Sequence, residues 1–472
     1  MKRDIKPPYH YYPCPEPIPD FPVISVTEAV DTLLNPEWTG RVLKERTVTN
    51  LRDVFEAVLL RSPDFKNFYQ MVFTDVVIKE ADLRDLDLPF SLVFQGDYFL
   101  EHLVLNRASF ASLSIESSYV CGALSLVEVK GQPGIGISTS QIDDLRLYGG
   151  SVSGLHLRGV RLGGFSLADC AVKGGVSFHD QSEVRDSFFI ERVEATDAVE
   201  MVDTELHQAA RIRDTRCQRL ALTSSLIQRD LTVERSEVVE LDLKGTTFDG
   251  FLDLRGLQFQ RIDATAIHGE GVFWLEEAQL RGQRRGWWLP KYDTPSKIMG
   301  DGALDRPSVA KAAEQLFLLR EKFHRVPSMY PQEDYCAYRL MEASRALATG
   351  RFQKGILLIA KWCCGYLILP ARILLTMIAT IAVSGGIYAA VTLGSPGTLL
   401  DASRGVPMPI GAGPMLAVVA ECLYFSAITF VTLSFGIVPV GIARVAAMAE
   451  ALLGLVLVSL LTVSLARRAL RW

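Results

Sequence analysis

Residues 141–172 read QIDDLRLYGGSVSGLHLRGVRLGGFSLADCAV, and in them Ile142, Leu147, Val152, Leu157, Leu162, Leu167 and Val172 fall at every fifth position. A spacing of five fits neither the 3.6-residue turn of a helix nor the two-residue alternation of a strand. A second series runs Ile212, Cys217, Leu222, Ile227, then Val233, Val238, Leu243, Phe248, then Leu254, Phe259, with a step of six after every fourth member. An earlier stretch supplies Leu105, Phe110, Ile115 and Val120. This rhythm predicts a coil of ~20–21 residues with four sides, each side giving one residue to the interior and each corner turning the chain. Stacked coils pair their backbones ~4.8 Å apart, so about ten coils between Phe65 and Leu280 make a rod near ~50 Å long. Asp, Gly, Ser and Arg fill the positions between, as solvent-facing corners require.

The repeat resembles the pentapeptide-repeat family, whose motif is A-[DN]-L-x-x; Ala81-Asp82-Leu83 and Ala168-Asp169 carry it here. The resemblance implies a right-handed quadrilateral β-solenoid. A parallel β-helix of the enzyme type, as in pectin-degrading proteins, is the competing reading. Acidic pairs such as Asp143 and Asp144 imitate the carboxylates of such an enzyme, although at outward corners they are ordinarily solvated charges. The seven histidines are scattered singly, without the spacing of a metal site or a triad. No catalytic residue, metal ligand or cofactor is assigned.

The chain has 472 residues, too many for one compact core. Hydrophobic residues make up 49%, and the excess lies beyond Arg372. A formal charge of -5 argues against a nucleic-acid partner, which calls for a cationic surface. The N-terminus, MKRDIKPPYHYYPCPEPIPDFP, has a basic pair with no apolar core behind it, so an extended arm is expected rather than a secretory signal. The eight cysteines, at 14, 121, 170, 217, 336, 363, 364 and 422, form no CxxC pair, and eight reduced thiols in a cytoplasmic setting are expected.

After Leu280 the repeat gives way to RGQRRGWWLPKY, a stretch suited to covering the end of the solenoid or to lying against lipid headgroups. Pro307-Ser308 then opens a helical pattern with Val309, Ala312, Leu316, Leu319 and Phe323 on one face, broken by Pro327 and Pro331. A second helix follows from Glu333 to Ala348, and the two are expected to form a hairpin between rod and membrane. Ile373 to Leu393 is uncharged over 21 residues, long enough to cross a bilayer, and Val445 to Ala466 is interrupted only by Glu450. Lys354, Lys361 and Arg372 precede the first run, and Arg467, Arg468 and Arg471 follow the second. By the positive-inside rule both ends lie in the cytoplasm. Ile356 to Leu369 is too short to span and carries Lys361 and Trp362, which suits an interfacial helix. Between the two spans lies MLAVVAECLYFSAITFV. As a third span it would separate the basic ends; as a segment that dips in and returns it keeps them together. Non-helical backbone at membrane depth is tolerated only where protein or a water-filled path surrounds it, so a re-entrant loop predicts a pore.

The residues that follow, from Thr429 to Gly441 (TFVTLSFGIVPVG), resemble the potassium-channel signature T-x-G-[YF]-G-D-x-x-P through Thr432, Phe435, Gly436 and a nearby proline. Outer helix, pore helix, filter and inner helix occur in that family's order. Gly365-Tyr366 with Pro370 and Arg372 also resembles bacterial pore-loop channels that carry pentapeptide-like repeats in front. The resemblance implies an ion filter at Thr432, Leu433, Ser434, Phe435 and Gly436, an inner-helix hinge at Gly454, and a homotetramer. Ser434 stands where the first filter glycine belongs, and no aspartate follows Gly436; both departures point to weak discrimination between K+ and Na+. Glu450, the one ionisable residue in the second span, is the candidate support behind the filter, with a pairing to Arg444 as the alternative.

The expected organisation is therefore an arm and cap over 1–64, a cytoplasmic β-solenoid over 65–285, a helical-hairpin connector over 286–350, an interfacial helix over 351–371 and a two-helix pore-loop domain over 372–472. The expected protein is a non-enzymatic cation channel in the lipid bilayer of a bacterial inner membrane, with both termini cytoplasmic and the solenoid serving regulation or assembly. The alternatives are a membrane-anchored β-helix enzyme acting on carbohydrate and a non-conducting scaffold with a degenerate pore.

Overall fold

Every member of the five-residue series is buried, with Ile142, Leu157, Leu167, Leu222, Leu243, Phe248 and Leu254 wholly inside. The structure, a computed structural model, describes residues 18–34, 41–61, 70–280, 306–324, 326, 329–394, 399–401, 415–432 and 437–470. It divides into two units, Met1–Gln332 and Glu333–Trp472.

The first unit is a β-solenoid of about ten turns. Leu92 pairs with Leu113, Leu113 with Ile135, Ile135 with Leu155 and Leu155 with Val176, so successive coils repeat after 21, 22, 20 and 21 residues. The strands of each coil join two sheets of fifteen strands each, and the pairs between stacked coils are parallel. The interior holds more than one residue per side. The position two before a series member is buried as well at Leu145, Leu155, Val160, Phe165 and Cys170, though not at Gly150, so most five-residue sides send in two residues. Phe165, Phe178 and Phe188 stack through the middle with centroids 5.0 to 5.6 Å apart. Replacing one such buried side chain by alanine costs about 2–5 kcal/mol.

Two corners of each coil are left-handed. One runs through Asp75, Gly96, Ser117, Thr139, Gly159 and Asp180, the other through Asp85, Arg107, Glu128, Gly149, Asp169 and Arg192, all with positive φ. The second corner carries ion pairs between adjacent coils: Arg107 to Asp85 at 2.7 Å, Arg192 to Asp169 at 2.5 Å and Arg235 to Asp214 at 2.7 Å. These pairs are solvent-exposed, so they set register more than they add stability.

Beside the first corner, a buried hydroxyl in one coil takes the backbone N–H of the coil before it. Ser118 Oγ accepts from Asp97, Ser140 Oγ from Ser118, Ser182 Oγ from Val160 and Ser225 Oγ from Thr204. Asp97 fills this place in its own coil, its carboxylate accepting from Val76 N–H at 2.7 Å and Gln95 N–H at 3.0 Å. Burial pushes the Asp97 carboxyl up to about 8, against those two N–H groups, which favour the carboxylate. A carboxyl raised in the fold binds more protons folded than unfolded, so its contribution to stability is present at low pH and is lost as pH rises through about 8. Asp97→Ser, which installs the residue of the next coils, is expected to flatten that part of the pH dependence. Thermal melts of the full-length protein at pH 5 and pH 9 check this; equal pH slopes in both proteins would contradict it.

Helices close both ends of the rod. Near the N-terminus, α1 (Val26–Leu34) packs on α2 (Leu51–Arg61). The Phe55 ring of α2 meets Phe73 at 5.8 Å and Phe90 at 6.0 Å. At the other end lie α3 (Glu277–Leu280) and α4 (Arg306–His324). The α4 face formed by Val309, Ala312, Leu316, Leu319 and Phe323 is buried; Phe323 stacks on Phe273, and Lys311 pairs with Asp263 at 2.5 Å. Thus α4 is part of the solenoid's cover, whereas the RGQRRGWWLPKY stretch lies outside the described residues. Its partner in the expected hairpin, α5 (Tyr330–Leu347), belongs mostly to the second unit.

Among the described cysteines Cys170, Cys217, Cys336, Cys363, Cys364 and Cys422 are free, but Cys121 is disulfide-bonded. The reading of eight thiols fails there because spacing cannot reveal a bridge that a fold closes between distant positions.

In the second unit α5 is followed by α6 (Arg351–Cys364), a 3-10 turn at Gly365–Leu367, α7 (Pro370–Gly394), α8 (Met415–Thr432) and α9 (Ile442–Ala469). Helices α7 and α9 are long and apolar enough to cross a membrane. Exposed Phe352, Ile356, Ile359 and Trp362 alternate along α6 with Arg351, Lys354 and Lys361.

Candidate pore site

The apolar helix α8 lies between α7 and α9 and touches both. Through Val418, Cys422 and Phe425 it packs against Tyr388 and Ala389 late in α7 and against Ala443 and Ala447 early in α9. Its far end, at Phe430, packs against Ile373 early in α7 and Leu457 in α9. Thus α8 runs antiparallel to α7 and parallel to α9. The chain then reappears at Ile437–Pro439, paired antiparallel to Leu399–Asp401, which follows α7. It has returned to the end at which it entered.

Two close approaches fix this arrangement. A Cβ on Gly385 of α7 would stand 2.7 Å from Leu423, and one on Gly454 of α9 would stand 2.3 Å from the Phe430 carbonyl oxygen. Gly454 therefore lets the end of α8 seat on α9. From Ile442 to Gly454 is 12 residues of helix, about 18 Å.

The other ends of the spans meet at the base. Ser464 of α9 donates to the Leu367 carbonyl at 3.0 Å and Arg468 to the Ile368 carbonyl at 3.3 Å. Arg372 and Arg467 therefore lie on one side, as a hairpin of two spans requires, with α8 re-entering between them.

Glu450 is buried where the three helices meet. Tyr388 of α7 donates to its carboxylate at 2.7 Å, Ser426 of α8 bonds it directly, and Ser384 of α7 joins them. Ser426 Oγ also stands 2.9 Å from the Ile381 carbonyl. Arg444, the alternative partner read from sequence, is exposed, and the bonds of Glu450 go to Tyr388 and Ser426 instead. Its standing as the one ionisable residue of the second span singles out Glu450; nothing in the sequence singles out Tyr388 or Ser426, because hydroxyl residues in apolar helices are common. Thr432 ends α8, and Leu433, Ser434, Phe435 and Gly436 lie outside the described residues.

Two membrane-capable helices flanking a re-entrant helix define the class: a two-span pore-loop membrane unit. Consistent with this, residues 375–471 match the model of the family described as Ion channel (Ion_trans_2). The match begins just inside α7, ends beyond α9 and leaves the solenoid outside it. No curated protein and no solved structure matches the chain.

Proposed function

We propose that this chain is one subunit of a homotetrameric channel that conducts monovalent cations, K+ or Na+, through a filter built from Thr432 to Gly436. The observation that carries the reading is the re-entry of α8: its end seats on Gly454, and the chain re-emerges beside Leu399–Asp401. One subunit supplies one filter strand, so a closed ring of copies is needed to surround an ion. Glu450 supports the filter indirectly by holding α8 to α7 and α9. Gly454 gives α9 room to bend as well as to pack. The amphipathic α6 lies in the interface of the inner membrane. Both termini face the cytoplasm, and the solenoid serves there as a regulatory or assembly domain.

Orientation is tested by single cysteines introduced into the full-length protein in sealed membranes. Arg404→Cys is expected to be labelled from outside, and Asp230→Cys and Arg468→Cys from inside only. Labelling of 230 from outside would reverse the orientation, and it would place the Cys121 disulfide in the oxidising compartment where such bonds persist.

A second reading draws on one notch in the solenoid, of about 190 Å³, where His102, Asp143, Asp144 and Asp186 come together over Gly122, Gly163 and Gly164. A glycoside-cleaving site needs two carboxyl groups, one to protonate the leaving oxygen and one to act as nucleophile or to take a proton from water. Here Asp144 is already held by Arg146 at 2.6 Å, and His102 Nδ1 accepts from Ala123 N–H at 2.8 Å. Release of sugars from acidic polysaccharide by the native protein, lost in Asp143→Asn, would establish this reading; absence of release discards it.

A further inference from the structure

The base of the membrane unit contains a turn whose conformation is unfavourable by itself. Gly365, Tyr366 and Leu367 follow one another with φ of 52°, 55° and 64°. Residues with a Cβ rarely adopt this region, and when they do the surroundings hold them there, often at a switch. Here they are held from two sides.

On one side stands α5. The Tyr366 hydroxyl donates to Glu342 at 2.6 Å, and the same carboxylate takes Lys361 at 3.1 Å and Arg345 at 3.3 Å. The Tyr366 ring meets Tyr338 edge-on at 5.3 Å, and Arg372 donates to the Tyr338 hydroxyl at 3.3 Å. On the other side stands the end of α9, where Ser464 and Arg468 hold the Leu367 and Ile368 carbonyls. The ring closes between the two helices, because Arg467 of α9 lies 3.4 Å from Asp334 and 3.8 Å from Glu333 of α5.

Chain order gives this ring its meaning. The solenoid precedes the first span, so along the chain both spans separate it from the end of α9. Yet α5 is the helix in which the chain leaves the first unit, and it touches the end of α9 both directly and through the strained turn. We propose that this joint of Glu342, Tyr366, Asp334 and Arg467 is the device by which a displacement of α5 changes the position of the α9 end and so the gating of the pore. Moving α5 withdraws Glu342 and Asp334 together, frees the left-handed turn and releases the last turns of α9. The inference rests on the channel reading, and these four are positioning residues that touch no ion.

The test uses purified full-length protein with Tyr366→Phe, Arg467→Gln and the exchanged pair Asp334→Arg with Arg467→Asp. In planar bilayers both single variants are expected to shift open probability about threefold or more, in the same direction, with unitary conductance unchanged, and the exchanged pair to return toward the native value. In hydrogen exchange, amides of residues 462–468 are expected to exchange about tenfold faster in both single variants. Native open probability in both, or shifts in opposite directions, overturns the proposal. If the native protein passes no current, the channel reading fails separately. Hydrogen exchange then still decides the joint, since unchanged protection of 462–468 overturns it.

Discussion

Glu450→Ala is expected to be among the most damaging single substitutions in the membrane unit. The Glu450 carboxylate accepts from Tyr388 and bonds Ser426, so alanine strands the Tyr388 hydroxyl in a buried site while Ser426 falls back on the Ile381 carbonyl. A buried donor left without an acceptor costs about 1–3 kcal/mol, and the cavity adds to it, for about 2–5 kcal/mol in all. Because the three groups sit on three helices, the loss loosens α8 against both spans. Glu450→Gln keeps an oxygen for Tyr388 and is expected to lose less than half as much, and Tyr388→Phe about 1 kcal/mol. Thermal unfolding in nanodiscs reads these differences, with the order Ala, Gln, Phe. An alanine variant as stable as the native protein would remove Glu450 from any role in holding the pore helix.

Restoring the missing filter features is expected to change ion preference more than any other substitution. In the proposed filter, Ser434 would take the place of a glycine whose backbone freedom lets carbonyls alternate along a coordinating strand, and a side chain there would cost about 1–2 kcal/mol in the left-handed region. No acid follows Gly436 to brace the strand from behind. A strand lacking both holds a dehydrated K+ less tightly, so the native protein is expected to distinguish K+ from Na+ weakly. Ser434→Gly together with an aspartate inserted between Gly436 and Ile437 is expected to raise the K+ to Na+ permeability ratio about tenfold, which is about 1.4 kcal/mol of discrimination. Reversal potentials under bi-ionic conditions measure it. Strong K+ preference in the unmodified protein would mean that Ser434 adopts the glycine conformation and that the surrounding packing offsets its strain.

The solenoid was legible because its signal is simple. A period of five has no competitor among helix and strand periods, and Ile142 through Val172 are all inside. The sequence alone did not reveal the second inward position, because Leu145 and Phe165 alternate there with polar residues such as Ser140 and Ser225. It also hid the cover: α4 has the pattern of an independent amphipathic helix, and only the last coil's Phe273, buried beneath Phe323, explains why its apolar face turns there. In the membrane unit, charge placement alone separated a re-entrant segment from a third span, since a third span would have split Arg372 from Arg467. The partners of Glu450 and the joint at Tyr366 were not legible. Each depends on which faces of separate helices meet, and spacing along one helix carries no information about its neighbours.

Conduction itself is the central claim, and recording from the purified full-length protein in planar bilayers tests it most directly. The account predicts discrete unitary currents carried by monovalent cations, with similar amplitude in K+ and in Na+ and none carried by chloride. A protein that inserts into the bilayer as a folded assembly and passes no cation current would contradict it.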